Sequence, residues 1–393
     1  MIHELDLSNA AARYEATVST GLEKVAQEEI TQKLRAKTEI SKGRVILESD
    51  KPVSEILKLK TINNLFIIIY DQIIEDSSMP QDTSQLESLL MKVGDSCNLR
   101  LGLSKWHQLS RFDRCKFDDL FLKAIELRDI QPSFRVSSNR HGKDHKFTSP
   151  EICSIFGHVI DTKYGWPIKM KNFDLELYVN FSENHLYATI TLTPVTLACR
   201  NIITTGYTTL KGATCYALLR FANIESGDLV LDPMAGSGAI PVENIVAWND
   251  EEWRSFTLCS DLTHSIISKS KINMRAVSKI KNPPSDVMRS DVTYCPIRDG
   301  TIDVVVTDLP FGHRHGSKTA NRSLYPKMML ELSRITRPVT GRAVLLTKDF
   351  RSMNLAYDAT KHYWTQTLCN HVKIGNLNCW IYRYQRNSEV YNH

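Results

Sequence analysis

Two stretches of this sequence combine residue types that could do chemistry. The first, Leu229-Val-Leu-Asp-Pro-Met-Ala-Gly-Ser-Gly-Ala-Ile-Pro-Val-Glu243, runs three apolar residues into Asp232-Pro233 and then into small residues. That order reads as a buried parallel strand, a tight turn and the start of a helix. Gly236 and Gly238 would let the backbone pass close to a ligand where a side chain would block it. A lone Gly-x-Gly equally fits a tight turn in any α/β sheet. The second stretch is Thr307-Asp-Leu-Pro-Phe-Gly312. Asp308 and a backbone carbonyl of the Pro310 turn can accept hydrogen bonds from an amino group. Phe311 can stack on a flat base, a contact worth about 1–3 kcal/mol in nucleic-acid complexes.

Strand ends are needed to hold such groups together. From Leu229 onward strand and helix patterns alternate, with strands near 228–231, 255–260, 285–289, 302–308 and 342–347. That alternation calls for a parallel sheet covered on both faces, with ligands at the carboxyl ends of the strands. Acids fall at those ends. Asp232 closes the first strand beside the glycine turn. Asp261 closes the second, about 23 residues past that turn, in the range of a carboxylate that holds ribose hydroxyls. Ser290-Asp291 closes the third, suited to an adenine amino group. Each acid alone also fits a helix N-cap or a surface position; three at successive strand ends are harder to dismiss. A nicotinamide cofactor would use the Asp261 position too, but Ala235-Gly-Ser-Gly238 lacks the third glycine of the dinucleotide fingerprint. After the parallel strands, 364–371 and 377–384 alternate around Gly375-Asn376, a hairpin added at the sheet edge.

The 393 residues leave room for two or three domains, and 42% apolar content supports sizeable cores. A net charge of +5 requires any nucleic-acid binding to come from local clusters of Lys and Arg. Nine cysteines, scattered without a Cys-x-x-Cys pair, indicate reduced thiols rather than a disulfide framework or a zinc site. No metal is expected. The N-terminus carries no signal pattern and no apolar run approaches the roughly 18 residues of a membrane span. These features point to a soluble intracellular protein, cytoplasmic or else nuclear, with no membrane partner.

Before Leu229 the chain reads as a small α/β unit and then a second one. Strand, helix, strand, helix, strand over 13–19, 21–34, 44–48, 52–59 and 64–74 suggest a ferredoxin-like layout. The polar break at 76–83 marks a boundary, giving expected domains at 1–78, 79–193 and 194–393. In the middle part we expect a helix near 86–93, a strand at 98–103, a helix at 117–127, a strand at 134–139, a helix from Ser149 to about Lys163 and a hairpin over 173–192. A helix over 210–221 follows the join. The run Arg140-His-Gly-Lys-Asp-His-Lys146, with Arg135 before it, gathers basic residues between a strand and a helix start. A solvated face explains such a run, and so does a grip on phosphates, because backbone N–H groups at a helix start also face phosphate. Past Phe311, His313-Arg-His-Gly-Ser-Lys318 and Arg322 are basic with no acid until Glu331. Arg314 and Lys318 there could hold phosphates flanking an extruded nucleotide.

Four resemblances follow from these residues. Phe134-Arg-Val-Ser-Ser-Asn-Arg-His-Gly142, followed by a helix and Asn172-Phe-Asp-Leu-Glu-Leu177, resembles a THUMP domain, an RNA-binding module that follows a ferredoxin-like subdomain and grips the acceptor end of tRNA. The parallel sheet finished by a hairpin resembles the class I, Rossmann-like methyltransferases, seven-stranded α/β domains that use S-adenosylmethionine. Asp308-Leu-Pro-Phe311 resembles the Asp/Asn-Pro-Pro-Tyr/Phe loop of enzymes that methylate a planar exocyclic nitrogen. Asp232-Pro-Met-Ala-Gly-Ser-Gly-Ala-Ile-Pro241, Asp308 to Lys318 and Arg337-Pro-Val-Thr-Gly-Arg-Ala-Val-Leu-Leu346, with Arg200-Asn-Ile202 at the join, together resemble the THUMP-containing tRNA guanosine N2-methyltransferases.

The resemblance implies methyl transfer to the N2 of a guanosine in the acceptor stem, in complex with a small zinc-binding activator subunit. It implies Asp232, Pro233, Gly236, Gly238, Asp261 and Asp291 as cofactor-binding residues, Asp232 facing the cationic methionine end. Asp308, Pro310 and Phe311 would be catalytic, and an ionised Asp308 suits guanine, whose amino and N1 protons are both donors. Arg135, Arg140, Lys143, Lys146, Arg200, Lys211, Arg314 and Lys318 would bind RNA. Tyr207, Lys211 and His313 depart from the family's Pro, Arg and Lys, which bears on substrate preference. Two other readings stand beside it: methylation of adenine N6 or of another RNA or protein amide, and a catalytically inactive tRNA-binding protein.

Overall fold

The computed structural model describes Leu7 and residues 10–75, 79–109, 131–141, 146–182, 184–206, 209–250, 252–278, 283–311 and 318–391. Two compact units divide the chain. The first comprises Met1–Thr17, Gln27–Leu59 and Asn64–Thr196; the second comprises Val18–Ala26, Lys60–Asn63 and Leu197–His393.

The first unit is built on seven strands: β1 (Ala12–Thr17), β2 (Lys37–Ser41), β3 (Arg44–Ser49), β4 (Asn64–Ile73), β5 (Phe134–His141), β6 (Leu175–Ser182) and β7 (His185–Thr191). Their order is β2-β3-β1-β4-β7-β6-β5. With helices α1 (Glu23–Leu34) and α2 (Val53–Ile56), the first four strands form the split βαβ arrangement of ferredoxin-like folds. Period-2 burial of Tyr14, Ala16, Val45, Leu47, Leu65 and Ile67 gives that sheet one apolar face. β4 pairs antiparallel with β7, so the sheet runs unbroken from the ferredoxin-like strands into β5–β7.

Two local readings differ from the structure. The stretch 98–103, expected as a strand, is the start of helix α4 (Leu99–His107), which follows α3 (Thr83–Ser96). Leu99, Leu101 and Leu103 alternate like a strand. However, the Asn98 side chain accepts from Leu101 N, and Leu99, Leu103 and Trp106 are buried at helical spacing. β2, a charged edge strand with Ile40 as its apolar member, was not expected at all. The helix expected at 117–127 lies outside the described residues. Helix α5 (Ser149–Tyr164) starts as expected, on a Thr148–Glu151 capping box, and stops at left-handed Gly165.

The second unit carries helix α6 (Gly212–Phe221) and then the expected alternation. Its elements are β8 (Leu229–Asp232), α7 (Ala239–Asn249), β9 (Phe256–Asp261), α8 (His264–Val277), β10 (Ser285–Arg289), β11 (Val304–Asp308), α9 (Lys318–Ile335), β12 (Arg342–Thr347), α10 (Phe350–Thr360), β13 (Trp364–Ile374) and β14 (Leu377–Arg386). The order is β10-β9-β8-β11-β12-β14-β13, parallel through β12, with β14 and β13 antiparallel. Alternate residues of the central strands feed two apolar cores: Val230, Val304, Val306 and Val344 on one face, Leu231, Val305 and Leu345 on the other. Burial on both faces is what continuous β-branched runs in parallel strands demand. The strand order reverses between β8 and β11, and ligands of such sheets bind in the crevice at that reversal. No helix among the described residues is long and apolar enough to cross a membrane.

Candidate active site at the sheet switch point

β8 delivers Asp232 to the crevice and β11 delivers Asp308. Asp232 is 3% exposed, and its Oδ1 accepts from the Thr307 hydroxyl at 2.7 Å and from Met234 N at 3.2 Å. Burial pushes its carboxyl up from 3.8 to about 7, the two hydrogen bonds only partly offsetting that cost. The carboxyl of Asp308 is pushed well above the usual carboxylate range, first by burial and then by the charge of Asp232. Its Oδ1 is buried and has no hydrogen-bond partner among the described residues. Buried polar atoms are almost always bonded, so this oxygen marks a place where a donor is wanted.

The glycine turn is held from several sides. Gly236 and Gly238 take φ of +56° and +83°, which L side chains rarely adopt. A Cβ on Gly236 would meet nothing within 4 Å, so the turn lines open space there. Gly236 N donates to Asp261 Oδ2 at 3.2 Å, and the Ser270 hydroxyl donates to Gly236 O at 2.6 Å. Asn273, fully buried on α8, donates to the carbonyls of Ser237 and Thr204 and accepts from the amides of Ile203 and Thr204. The join at 203–206 is thereby stapled to the glycine turn. Thr209 adds a bond to the Ser237 hydroxyl at 3.0 Å.

Asp261 also accepts from Thr263 N at 2.9 Å. Asp291, just past β10, accepts from Thr293 N and its hydroxyl at 2.8 Å. A chain of hydroxyls ties this corner to the turn: Ser290 donates to Ser260, and Ser260 donates to the Pro233 carbonyl. The structure therefore links Asp232, Pro233, Gly236, Asp261 and Asp291 into one rim. These residues fit S-adenosylmethionine: an open backbone cradle at Gly236, acceptors at the second and third strand ends, and a carboxylate at the first strand end suited to a cationic group. Phe311 is half-buried against the core under α6.

The expected RNA-binding residues fall in different settings. In the first unit Arg140 and Lys146 are exposed; Arg140 donates to the Phe147 carbonyl and to Ser149 Oγ, Lys146 to Gln81. Arg135 pairs with Glu176 and lies 4.3 Å over the Phe173 ring. In the second unit Arg200 is spent internally: it pairs with buried Glu243 at 2.8 Å and donates to the carbonyls of Leu197 and Lys60. Lys211 is exposed at the start of α6, and Lys318 opens α9. Lys143 and Arg314 lie outside the described residues, as do Tyr207 and His313. Sequence reasoning missed Thr307, Ser270, Asn273, Asn321 and Tyr325. Polar residues at helical spacing inside apolar stripes, as in Asn321-x-x-x-Tyr325 before Met328 and Met329, were the available signal.

Residues 203–379 match the RMKL-like methyltransferase domain family, and residues 116–191 match the THUMP domain family. A mouse protein named tRNA (guanine(6)-N(2))-methyltransferase THUMP3 is 29% identical across 96% of this chain and 89% of its own length. The human protein of the same name is 36% identical across 66% of this chain, and the match spans 52% of that protein. Among solved structures, TrmN from Thermus thermophilus superimposes with a TM-score of 0.74, covering 96% of this chain and 100% of that one at 22% identity. The chain joins a THUMP domain to an RMKL-like methyltransferase domain and is a relative of the THUMP3 tRNA guanine N2-methyltransferases.

Proposed function

We propose that this chain transfers a methyl group from S-adenosylmethionine to the exocyclic N2 of a guanosine in the acceptor stem region of tRNA. In this reading it is the cytoplasmic catalytic subunit of a heterodimer with a small zinc-binding activator. The observation that carries the reaction is the buried, unpartnered Asp308 Oδ1 at the sheet switch point, next to the glycine turn.

The cofactor supplies an electrophilic methyl group on a sulfonium. Asp232, Gly236, Asp261 and Asp291 would hold it. Asp308 then does the work on the acceptor. Its Oδ1 accepts from the N2 amino group and fixes that nitrogen for in-line attack. As the new N–C bond forms and the S–C electron pair stays on sulfur, the amine loses a proton. A carboxylate with a raised pKa is well matched to take it. Guanine N2 is a poor nucleophile, so most of the acceleration must come from alignment. Phe311 would stack on the extruded base. The matched THUMP domain and the names of the relatives support tRNA as the substrate.

The test is direct. Purified protein with the activator is incubated with undermodified tRNA and labelled S-adenosylmethionine, and the tRNA is digested to nucleosides. N2-methylguanosine is expected. If N6-methyladenosine appears instead, the guanine assignment is wrong.

A further inference from the structure

The Pro310 carbonyl takes two buried hydrogen bonds, both from α9. Asn321 Nδ2 donates to it at 2.9 Å and the Tyr325 hydroxyl at 2.8 Å. Both donors are almost fully enclosed, at 1% and 0% exposure. They are themselves fixed from behind: the Tyr325 hydroxyl bonds Thr347 Oγ1 at 2.8 Å, and Asn321 Nδ2 also reaches Asp349 Oδ2 at 3.2 Å. Asp349 in turn donates its amide to Thr347 Oγ1 and caps α10 through Ser352. Polar side chains in an apolar core cost free energy unless bonded, and here two of them converge on one loop carbonyl.

We propose that Asn321 and Tyr325 are positioning residues for the methyl acceptor, clamping the turn so that it presents the Leu309 carbonyl and Asp308 Oδ1 together to the incoming amine. Leu309 N already donates to Leu346 O at 2.9 Å. Pro310 has a fixed φ and no N–H. With the Pro310 carbonyl pinned on the far side, the Leu309–Pro310 peptide lies between two anchors and cannot rotate. Both lone pairs of the Pro310 carbonyl are taken, which leaves the Leu309 carbonyl as the loop's backbone acceptor. The proposal rests on the methyl-transfer reading above for its chemistry, but the clamp itself is a property of the loop.

Single-turnover methylation of tRNA at saturating cofactor tests the effect on chemistry. Tyr325→Phe or Asn321→Ala should slow it about tenfold and the double variant about a hundredfold, the cost of an ångström-scale misplacement. Cofactor and tRNA dissociation constants should stay within about twofold, because both side chains are enclosed behind the loop. Thr347→Val should slow the step severalfold, and Thr347→Ser should recover it. Independently of activity, hydrogen exchange at the amides of Leu309 and Phe311 should speed up in the double variant while Gly236 and Gly238 stay protected. Unchanged exchange, or a rate within twofold of wild type, overturns the clamp. So does a loss of rate that merely tracks loss of cofactor affinity and melting temperature. An inactive wild-type enzyme would sink the reaction reading alone, since the exchange measurement still decides the clamp.

Discussion

With Asp232 at the cationic end of the cofactor, as proposed, its carboxyl makes cofactor binding a titration. Burial raises it to about 7, with the Thr307 hydroxyl and the Met234 amide pulling the other way and Asp261 adding to the rise. Almost every free molecule should therefore hold a proton there at pH 5.5, and about half should at pH 7. S-adenosylmethionine brings an ammonium and a sulfonium, which an ionised Asp232 attracts and a neutral one does not. Binding must release the proton, so the dissociation constant falls as pH rises. From pH 5.5 to 7 the fall should be about 15-fold, or roughly 1.6 kcal/mol. Calorimetry in two buffers of different ionisation enthalpy measures both quantities. Release of nearly one proton is expected at pH 5.5 and about half a proton at pH 7. Asp232→Asn keeps an oxygen for Thr307 and Met234 but cannot ionise; it should remove the pH slope and the proton release. A dissociation constant that is flat over this range, or proton uptake, refutes the reasoning.

The same shift has a sign for folding. Because the folded pKa lies above the unfolded 3.8, the native state holds the proton more tightly. Its contribution to stability is complete below pH 3.8 and is lost as pH rises toward 7, an upper limit of roughly 4 kcal/mol. Asp232→Asn should therefore gain more melting temperature over wild type at pH 8 than at pH 5. Equal differences at the two pH values would contradict it.

Asp308→Ala should abolish methyl transfer while tRNA affinity, measured by filter binding, stays nearly intact. The wild-type rate should rise with pH as the raised Asp308 carboxyl ionises, and a rate that falls with pH would assign Asp308 another role. Arg140→Glu with Lys146→Glu should weaken tRNA binding and lower the slope of log affinity against log salt by about one to two. An unchanged slope would remove these residues from the phosphate contacts.

What the sequence made legible follows from how local each signal is. β11 and β12 are runs of β-branched and aliphatic residues between turn signals, and Gly375-Asn376 sits between two alternating runs, so period and turn chemistry locate both features. Asp232, Asp261 and Asp308 are strand-final acids, and strand ends of parallel sheets face one crevice. By contrast, 98–103 has a strand's alternation and a helix's cap, and only the burial of Trp106 together with Leu99 and Leu103 decides between them. β2 has no apolar period of its own; it exists because β3 offers it an antiparallel edge, Lys37 opposite Glu48 to Ser41 opposite Arg44. The clamp is further out of reach. Asn321 and Tyr325 lie one helix away from Pro310, Thr347 and Asp349 a strand further on, and only the fold brings the first pair to its carbonyl and the second pair behind them.

The four strand-end acids share a residue type and divide by environment. Asp261 and Asp291 stay partly open to solvent and are spent on loop amides, as suits groups that only orient hydroxyls and an amino group. Asp232 is buried and Asp308 is half-buried with its Oδ1 fully enclosed; both carboxyls are raised, Asp308 in part by the charge of Asp232, so the free protein holds them at a cost. A cation relieves the first and an N–H donor relieves the second. In the proposed reaction the donor and the acceptor of the methyl group are thus each drawn toward a carboxylate that is poorly satisfied without them. Binding free energy is thereby directed to the two reacting atoms rather than to the periphery of either ligand, which is where it can lower the barrier and not merely the dissociation constant.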